Sequence, residues 1–321
     1  MEEVMVIEHA TSSQVLAEGK TKIILSKGTD RVIIVSKDDI TAGDGARHDV
    51  IPGKGEYSTQ TTCLAFCLLS MAGIPGAYMS QRSPTEFEAY RCEMFPYEVV
   101  VRRVAAGSYC KRHPDVIPGT VFGTLVVEFY LKTTRRVFRG ISLEKDDPLI
   151  VFIHEAGVVI ARPDVPQGRP GTTRTAIPAS VLYGDRLQEK HPYKEMERLA
   201  RLAFLALEMA WSEQGCTLMD MKVEFGLTPE GKLVTADVID ADSWRLLSPS
   251  GKHLDKQPYR EGASLAEVAE VYAEVAKRTE KFRLLGLDFL MPLNRNLARL
   301  ELVDAKGLTR ANSPTVAFEL T

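Results

Sequence analysis

The run from Leu218 to Arg245, LMDMKVEFGLTPEGKLVTADVIDADSWR, constrains this chain more than any other. Two segments of alternating apolar and polar residues flank Thr228-Pro229-Glu230-Gly231-Lys232, the punctuation of a β-hairpin. Side chains on a strand alternate between faces, so Asp220, Lys222 and Glu224 share one face. A turn centred on Glu230-Gly231 puts Pro229 opposite Lys232 and Glu224 opposite Asp237. Two carboxylates facing each other are unfavourable unless something neutralises them. A divalent cation does so, because hard cations such as Mg²⁺ take oxygen ligands and use one or two protein carboxylates together with phosphate. Lys222 adds a positive charge able to meet a phosphate. The alternative is a solvated hairpin with an idle charged face. Asp240, Asp242 and Arg245 weigh against it, since they crowd acidic and guanidinium groups at one strand end.

The 321 residues, 45% hydrophobic and 26% charged, can build a core for two modest domains or one large one. A net charge of −3 removes bulk basicity as a reason to expect nucleic acid. No run approaches the roughly 20 apolar residues that cross a bilayer, so no membrane partner is expected. The opening MEEVMVIEHA is acidic where a signal peptide is basic, and the expected location is the cytoplasm. Cys63, Cys67, Cys92, Cys110 and Cys216 contain no Cys-x-x-Cys pair, so reduced thiols are expected rather than disulfides or a zinc site.

Ahead of the hairpin, VLAEGKTKIILSKGTDRVIIVS reads as two strands around a Lys-Gly-Thr-Asp turn. Its head, Glu18-Gly19-Lys20-Thr21-Lys22, is basic and flexible without the spacing of a P-loop. Residues 37–58 read as a long loop with several aspartates and glycines, a composition that lets backbone approach a ligand. A helix is expected from Ser58 to Ala72, ended by Gly73 and Pro75. Tyr97 to Val104 is a strand that must send Arg102 and Arg103 to opposite faces. Leu125 to Lys132 and Leu149 to Ile153 are further strands, residues 133–145 are basic and irregular, and residues 162–178 form a surface loop. His191 to Ser212 is a helix apolar enough to pack on two sides. Ser264-x-x-Glu267 is a capping box opening a helix that runs to about Leu285.

Several of these pieces occur together in one family. EGKTK at 18–22, DDITAGDGARHD at 38–49, CEMFPYEVVVRRVAAGS at 92–108, DMKVEFG at 220–226, ADVIDADSWRL at 236–246 and DKQPYR at 255–260 resemble the SAICAR synthetases, and the last two look like the animal-type enzymes. The resemblance implies an α+β fold in two lobes, 15–96 and 97–285, with residues 286–321 as an appendage. The second lobe would be ATP-grasp-like, with nucleotide between the lobes. It also implies an ATP- and Mg²⁺-dependent ligase that activates the carboxylate of carboxyaminoimidazole ribotide as an acyl phosphate and joins it to L-aspartate. On this pattern Lys20 and Lys22 contact phosphates, Glu224 and Asp237 hold Mg²⁺–ATP, and Lys222 and Lys132 lie beside the reacting groups. Arg102, Ser108, Asp242 and Arg245 match residues that hold the ribotide. Thr41 and Asp44 match the loop that closes over substrate, and the adenine lies by the backbone around Cys92 to Met94. The family forms homo-oligomers, which is the expectation here.

Residues 133–183 depart from the pattern. Thr133-Thr134-Arg135-Arg136 stands where acidic residues are expected, Asp146-Asp147-Pro148 comes late, and Arg162, Arg169 and Arg174 are unexpected. Such departures leave open a paralogous ligase with another amine or carboxylate. A small-molecule phosphotransferase would share the lysines and carboxylates without needing Arg102, Ser108 and Arg245 together.

Overall fold

The structure, a computed structural model, describes residues 14–153, 157–160, 176–182 and 192–285. The appendage at 286–321 and the arginines at 162, 169 and 174 lie outside them. The chain opens with β1 (Val15–Glu18), β2 (Lys22–Lys27) and β3 (Arg31–Ser36). A separate hairpin of β4 (Asp39–Ala42) and β5 (Arg47–Val50), helix α1 (Lys54–Met71), β6 (Tyr78–Ser83) and β7 (Glu86–Tyr90) follow. Strands β1-β2-β3-β7-β6 form a five-stranded antiparallel sheet in that order.

A larger sheet follows. Its elements begin with β8 (Glu93–Met94), β9 (Tyr97–Val104), helix α2 (Ser108–Arg112) and β10 (Val121–Leu131). The small pair β11 (Val137–Phe138) and β12 (Ile141–Ser142) precedes β13 (Leu149–Ile153), β14 (Gly157–Ile160) and β15 (Ala176–Pro178). Helix α3 (Tyr193–Ser212) leads into β16 (Thr217–Leu227), β17 (Leu233–Ala236) and β18 (Trp244–Leu247), and helices α4 (Gln257–Glu261) and α5 (Leu265–Thr279) come last. The path is β15-β14-β13-β10-β9-β16-β17, with β8 and β18 also paired to β16. This is the expected α+β architecture.

Period-two alternation in the central strands divides the larger sheet. Tyr97, Val99 and Val101 of β9, Val127, Phe129 and Leu131 of β10, and Met221, Val223 and Phe225 of β16 are buried in the main core. Helix α3 covers them with Leu199, Ala203, Phe204, Leu207 and Trp211. Its other side meets α1, so the helix packs on two sides as its composition demands. The opposite face of the same strands carries the charged residues.

Arg102 and Arg103 separate as neighbours on a strand must. Arg103 turns to α3 and binds Glu208 through two nitrogens at 2.6 and 2.9 Å. The capping box forms, with the Glu267 amide on Ser264 Oγ and the Ser264 amide on Glu267 Oε2. The helix it opens ends at Thr279, and a 3-10 segment, Glu280–Leu284, completes the expected span.

Four readings are corrected. The loop expected at 37–58 contains the β4–β5 hairpin, turned by Gly43 and Gly45 at positive φ. Helix α1 starts a turn early at Lys54, because Gly53 at φ 84° lets the chain enter the helix there. Ala176–Pro178, expected in a surface loop, is strand β15 on β14. The central hairpin also keeps a different register: Glu224 opposes Ala236 and Leu227 opposes Leu233. With Gly231 at φ 77°, the loop holds three residues, 229–231, between Thr228 and Lys232, so Pro229 joins the loop and every pair shifts by one.

The linker between the sheets is held by β16. Met94 pairs with Gly226, and the Phe95 amide donates to the Phe225 carbonyl at 2.9 Å. A Cβ on Gly226 would lie 2.7 Å from Cys92 Cβ and 3.1 Å from the Glu93 carbonyl oxygen, so only glycine lets the linker cross this closely. Gly226→Ala should destabilise the chain by about 1–3 kcal/mol, as overpacking does. Denaturant unfolding measures it, and an unchanged midpoint would mean that the linker is not clamped to β16.

Candidate active site

The charged face of β9, β10 and β16 is a lattice of ion pairs set by strand register. Asp220 and Val126 flank Arg102, Lys222 and Glu128 flank Val100, and Tyr130 faces Glu98. Arg102 is 2% exposed, and its guanidinium fork is fully engaged. It donates to Glu128 Oε2 at 2.7 Å, Asp220 Oδ2 at 2.8 Å and Ser108 Oγ at 3.2 Å. Burial disfavours its charge, yet Glu128 and Asp220 outweigh burial and push its pKa up. Arg112 adds a second contact to Glu128, whose carboxyl is held below its usual range by the two arginines against the pull of burial.

Arg245 reaches the same corner from β18 and donates to Asp220 Oδ2 at 2.6 Å. Its guanidinium lies against Gly107, where an added Cβ would fall 2.3 Å from Nη2. Arg102 and Ser108 from one motif and Arg245 from another are therefore joined, since Asp220 accepts from both arginines and Arg102 also donates to Ser108. With Gly107 they form a corner whose donors suit a phosphate monoester.

The second corner holds the carboxylates of the central hairpin. Glu224 Oε2 accepts from Lys132 Nζ at 2.7 Å. Asp237, just past β17, forms an ion pair with Lys22 of β2. The expected opposition of Glu224 and Asp237 is not made by strand register. Asp237 has φ 67°, a left-handed conformation uncommon for a residue with a side chain, and the chain turns there as it leaves β17. Lys22 links the two acids, because it pairs with Asp237 and also lies within the field of Glu224. Burial, with the charges of Lys132 and Lys222, lowers its pKa to about 8 against the pull of Glu224. Lys222 donates to Glu98 Oε1 at 2.9 Å, and Glu98 raises its pKa even though burial opposes that.

Between the corners sits Asp242. Lys54 Nζ and Lys256 Nζ converge on its Oδ2 from 3.6 and 3.5 Å, and the Tyr272 hydroxyl donates to Oδ1. Burial raises its carboxyl, but the two lysines prevail and hold it at about 2. Neighbouring Asp240 moves upward instead, through burial and the charge of Asp242.

The remaining expected residues lie on the β1–β2 turn, the β4–β5 hairpin and the linker strand. The Lys20 ammonium lies against Gly45, 3.4 Å from where a Cβ would stand. Thr41 is on β4 opposite His48, and Asp44 is in the Gly43–Gly45 turn, its side chain outside what the structure describes. Tyr259 of α4 anchors this hairpin by donating to Asp49 Oδ2 at 2.8 Å and stacking under Arg47 at 4.0 Å. Met94, 39% exposed, sits on the linker strand.

Sequence reasoning missed Glu98, Glu128, Arg112, Lys54 and Tyr272. Alternation carried a signal for the first two: Glu98 and Arg102, like Glu128 and Lys132, fall at even spacings on strands already identified. Lys54 and Tyr272 had none, because they approach from helices distant in sequence.

Removing Arg102 would leave two buried carboxylates facing each other. Arg102→Ala should cost about 3–5 kcal/mol of stability. Arg102→Lys should fail to restore it, since one ammonium cannot reproduce a three-way fork. Equilibrium unfolding tests both, and a loss below about 1 kcal/mol in the alanine variant would contradict the lattice.

Comparison with known proteins places the chain. The family model described as SAICAR synthetase matches residues 15–145 and 178–279. The phosphoribosylaminoimidazole-succinocarboxamide synthase of Roseiflexus sp. (strain RS-1) is 40% identical over 275 residues, covering 83% of this chain and 96% of that protein. A SAICAR synthetase solved in complex with ADP superposes with a TM-score of 0.66 at 28% identity, over 83% of this chain and 97% of the other. The SAICAR synthetase of Pyrococcus horikoshii OT3 gives 0.63 at 27% identity, over 81% and 97%. By sequence and by fold, the chain belongs to the SAICAR synthetase family.

Proposed function

We propose that the site described above carries out the reaction of that family, the ATP-dependent joining of L-aspartate to the carboxylate of carboxyaminoimidazole ribotide. The observation that carries this reading is the pairing of Glu224 and Asp237, from the two arms of one hairpin, with Lys132 and Lys22. Two carboxylates that already meet cations, beside further lysines, suit a metal–triphosphate that brings both charges at once.

The donor set fits Mg²⁺. Among the described residues no group of three or more His, Cys, Asp or Glu could hold a metal, and the two carboxylates Glu224 and Asp237 would leave positions for phosphate oxygens. Magnesium commonly binds in that way, through one or two carboxylates plus phosphate. When bound it would neutralise charge on the transferring phosphoryl group. Glu224 and Asp237 would hold it, while Lys22 and Lys132 exchange carboxylate for phosphate oxygens. The adenine would lie along the linker at Met94, and Lys20 at the turn against Gly45 would reach the phosphates.

Arg245, Ser108 and the backbone at Gly107 would hold the ribotide phosphate. Arg102, spent on Asp220 and Glu128, positions that corner. Asp242, kept ionised by Lys54 and Lys256, would accept hydrogen bonds from the ribotide. Thr41 and Asp44 would cover it from the β4–β5 hairpin. The ribotide carboxylate takes the phosphoryl group of ATP, giving an acyl phosphate and ADP. The aspartate amine then attacks the acyl carbon, loses a proton, and phosphate leaves. Lys222, beside Glu98, would stabilise charge on that phosphate.

No helix among the described residues is long and apolar enough to cross a membrane. Five free cysteines favour a reducing compartment, which supports the cytoplasm. Residues 15–96 and 97–285 would act as two lobes closing on the nucleotide.

Purified protein given ATP, Mg²⁺ and carboxyaminoimidazole ribotide should release phosphate only when L-aspartate is added. Turnover with another amine and none with aspartate would favour the paralogous ligase. Asp237→Asn should lower kcat more than about 100-fold, since even groups behind a metal ligand typically cost roughly 10- to 100-fold. Its stability should change by less than about 1 kcal/mol, because the Lys22 pair is partly solvated. Normal turnover would remove Asp237 from the site. Lys22, with its lowered pKa, should be acylated faster than the exposed Lys252 at about pH 8, and MgATP should protect it. Equal labelling rates read by peptide mass spectrometry would contradict that placement.

A further inference from the structure

Next to the phosphate corner stands one titratable side chain that the mechanism leaves unused. Strand β18 presents Arg245 and Leu247 on one face, two residues apart. The chain returns along its other edge: His253 bridges to Leu247, and the Leu254 amide donates to the Leu246 carbonyl at 2.8 Å. Directly opposed residues share a face, so His253 stands diagonally beside Arg245, on the side where Arg245 meets Asp220.

Its imidazole is fixed in orientation. Nδ1 lies 2.9 Å from Asp255 Oδ2, and Asp255 is completely buried. The same carboxylate accepts the Leu246 amide at 2.9 Å and the Gln257 amide at 2.6 Å, so it cannot rotate away. Such a carboxylate keeps the proton on Nδ1 and directs Nε2 outward. The ring remains 31% exposed. In this corner Arg102, Arg112 and Arg245 face Glu128 and Asp220, leaving one cation in excess. A phosphate monoester carries about −1.5 to −2 at neutral pH, which is more than that excess neutralises.

We propose that His253, oriented by Asp255, is a further ligand of the ribotide phosphate, donating from Nε2 beside Arg245 and taking a proton from solvent as the phosphate binds. This rests on the assignment of Arg245 to that phosphate. In its neutral form Nε2 is an acceptor and repels phosphate oxygens; protonated, it is a charge-assisted donor. The hydrogen bond to Asp255 raises the histidine above its ordinary value, burial opposes, Glu261 of α4 helps, and Arg245 of β18 opposes. A histidine raised in this way is charged below its shifted value, so its contribution to binding is lost as pH rises through that value, above the ordinary one.

The test is the KM for carboxyaminoimidazole ribotide across about pH 6 to 8.5, with the KM for ATP as reference, in the wild type, His253→Gln and His253→Lys. At the acid end the glutamine variant should raise the ribotide KM about three- to tenfold, the range of a half-exposed charged contact. It should leave the KM for ATP in place and abolish the extra rise in ribotide KM that the wild type shows with pH. The lysine variant should keep the KM low and flat. Calorimetry in buffers of different ionisation enthalpy should show proton uptake when aminoimidazole carboxamide ribotide binds, and none with the nucleoside lacking the phosphate. Phosphate-dependent binding combined with a wild-type pH profile in His253→Gln would overturn this inference alone. A wild type that binds the ribotide no better than the nucleoside would overturn the Arg245 assignment and this inference with it.

Discussion

Everything in this molecule depends on neutralising one face of its larger sheet. Strands β9, β10 and β16 commit their odd-numbered side chains to a core under α3, which forces the even-numbered ones onto the other face. Those include Glu98, Arg102, Glu128, Asp220, Lys222 and Glu224, and several are almost wholly removed from water. Isolated charges there would be prohibitive. Each instead meets an opposite charge, so the apolar core on one side and the ion-pair lattice on the other are consequences of a single register.

That lattice explains how one surface can be both stable and receptive. Arg102 and Glu128 are sealed and satisfied, so they act as framework. Lys132, Lys222 and Arg245 are more exposed and hold their partners from the solvent side. Groups of the second kind can change partners at small cost, because a ligand carrying phosphates and a metal restores each pairing it breaks. The distinction between framework and exchangeable charge is set by depth, and it divides residues that motif matching alone treats alike. Arg102 and Arg245 both belong to phosphate-associated motifs, yet only Arg245 lies against the glycine that a ligand would approach.

The sequence made the central strands and their charged face legible because period-two patterns survive without tertiary information. It located Arg102 and Arg103 on opposite faces, the apolar helix above them, and the capping box at Ser264 for the same local reason. It did not reveal the Glu224–Ala236 register, since a three-residue loop with Gly231 in the left-handed region outweighs the symmetry of the flanking strands. Asp237 leaves β17 in a left-handed conformation and pairs instead with Lys22, which also lies in the field of Glu224. Nor did it reveal the Lys54–Asp242–Tyr272 junction, whose members come from two helices and a loop with no common spacing. Family motifs named Asp242 and Arg245 individually; the contacts each makes required the fold.

The most direct test of exchangeable pairing is a crystal structure with Mg²⁺ and a non-hydrolysable ATP analogue. The account predicts metal at about 2.0–2.1 Å from carboxylate oxygens of both Glu224 and Asp237, with Lys22 and Lys132 moved from those acids onto phosphate oxygens. A nucleotide bound with both lysines still on their carboxylates, and the metal held elsewhere, would contradict it.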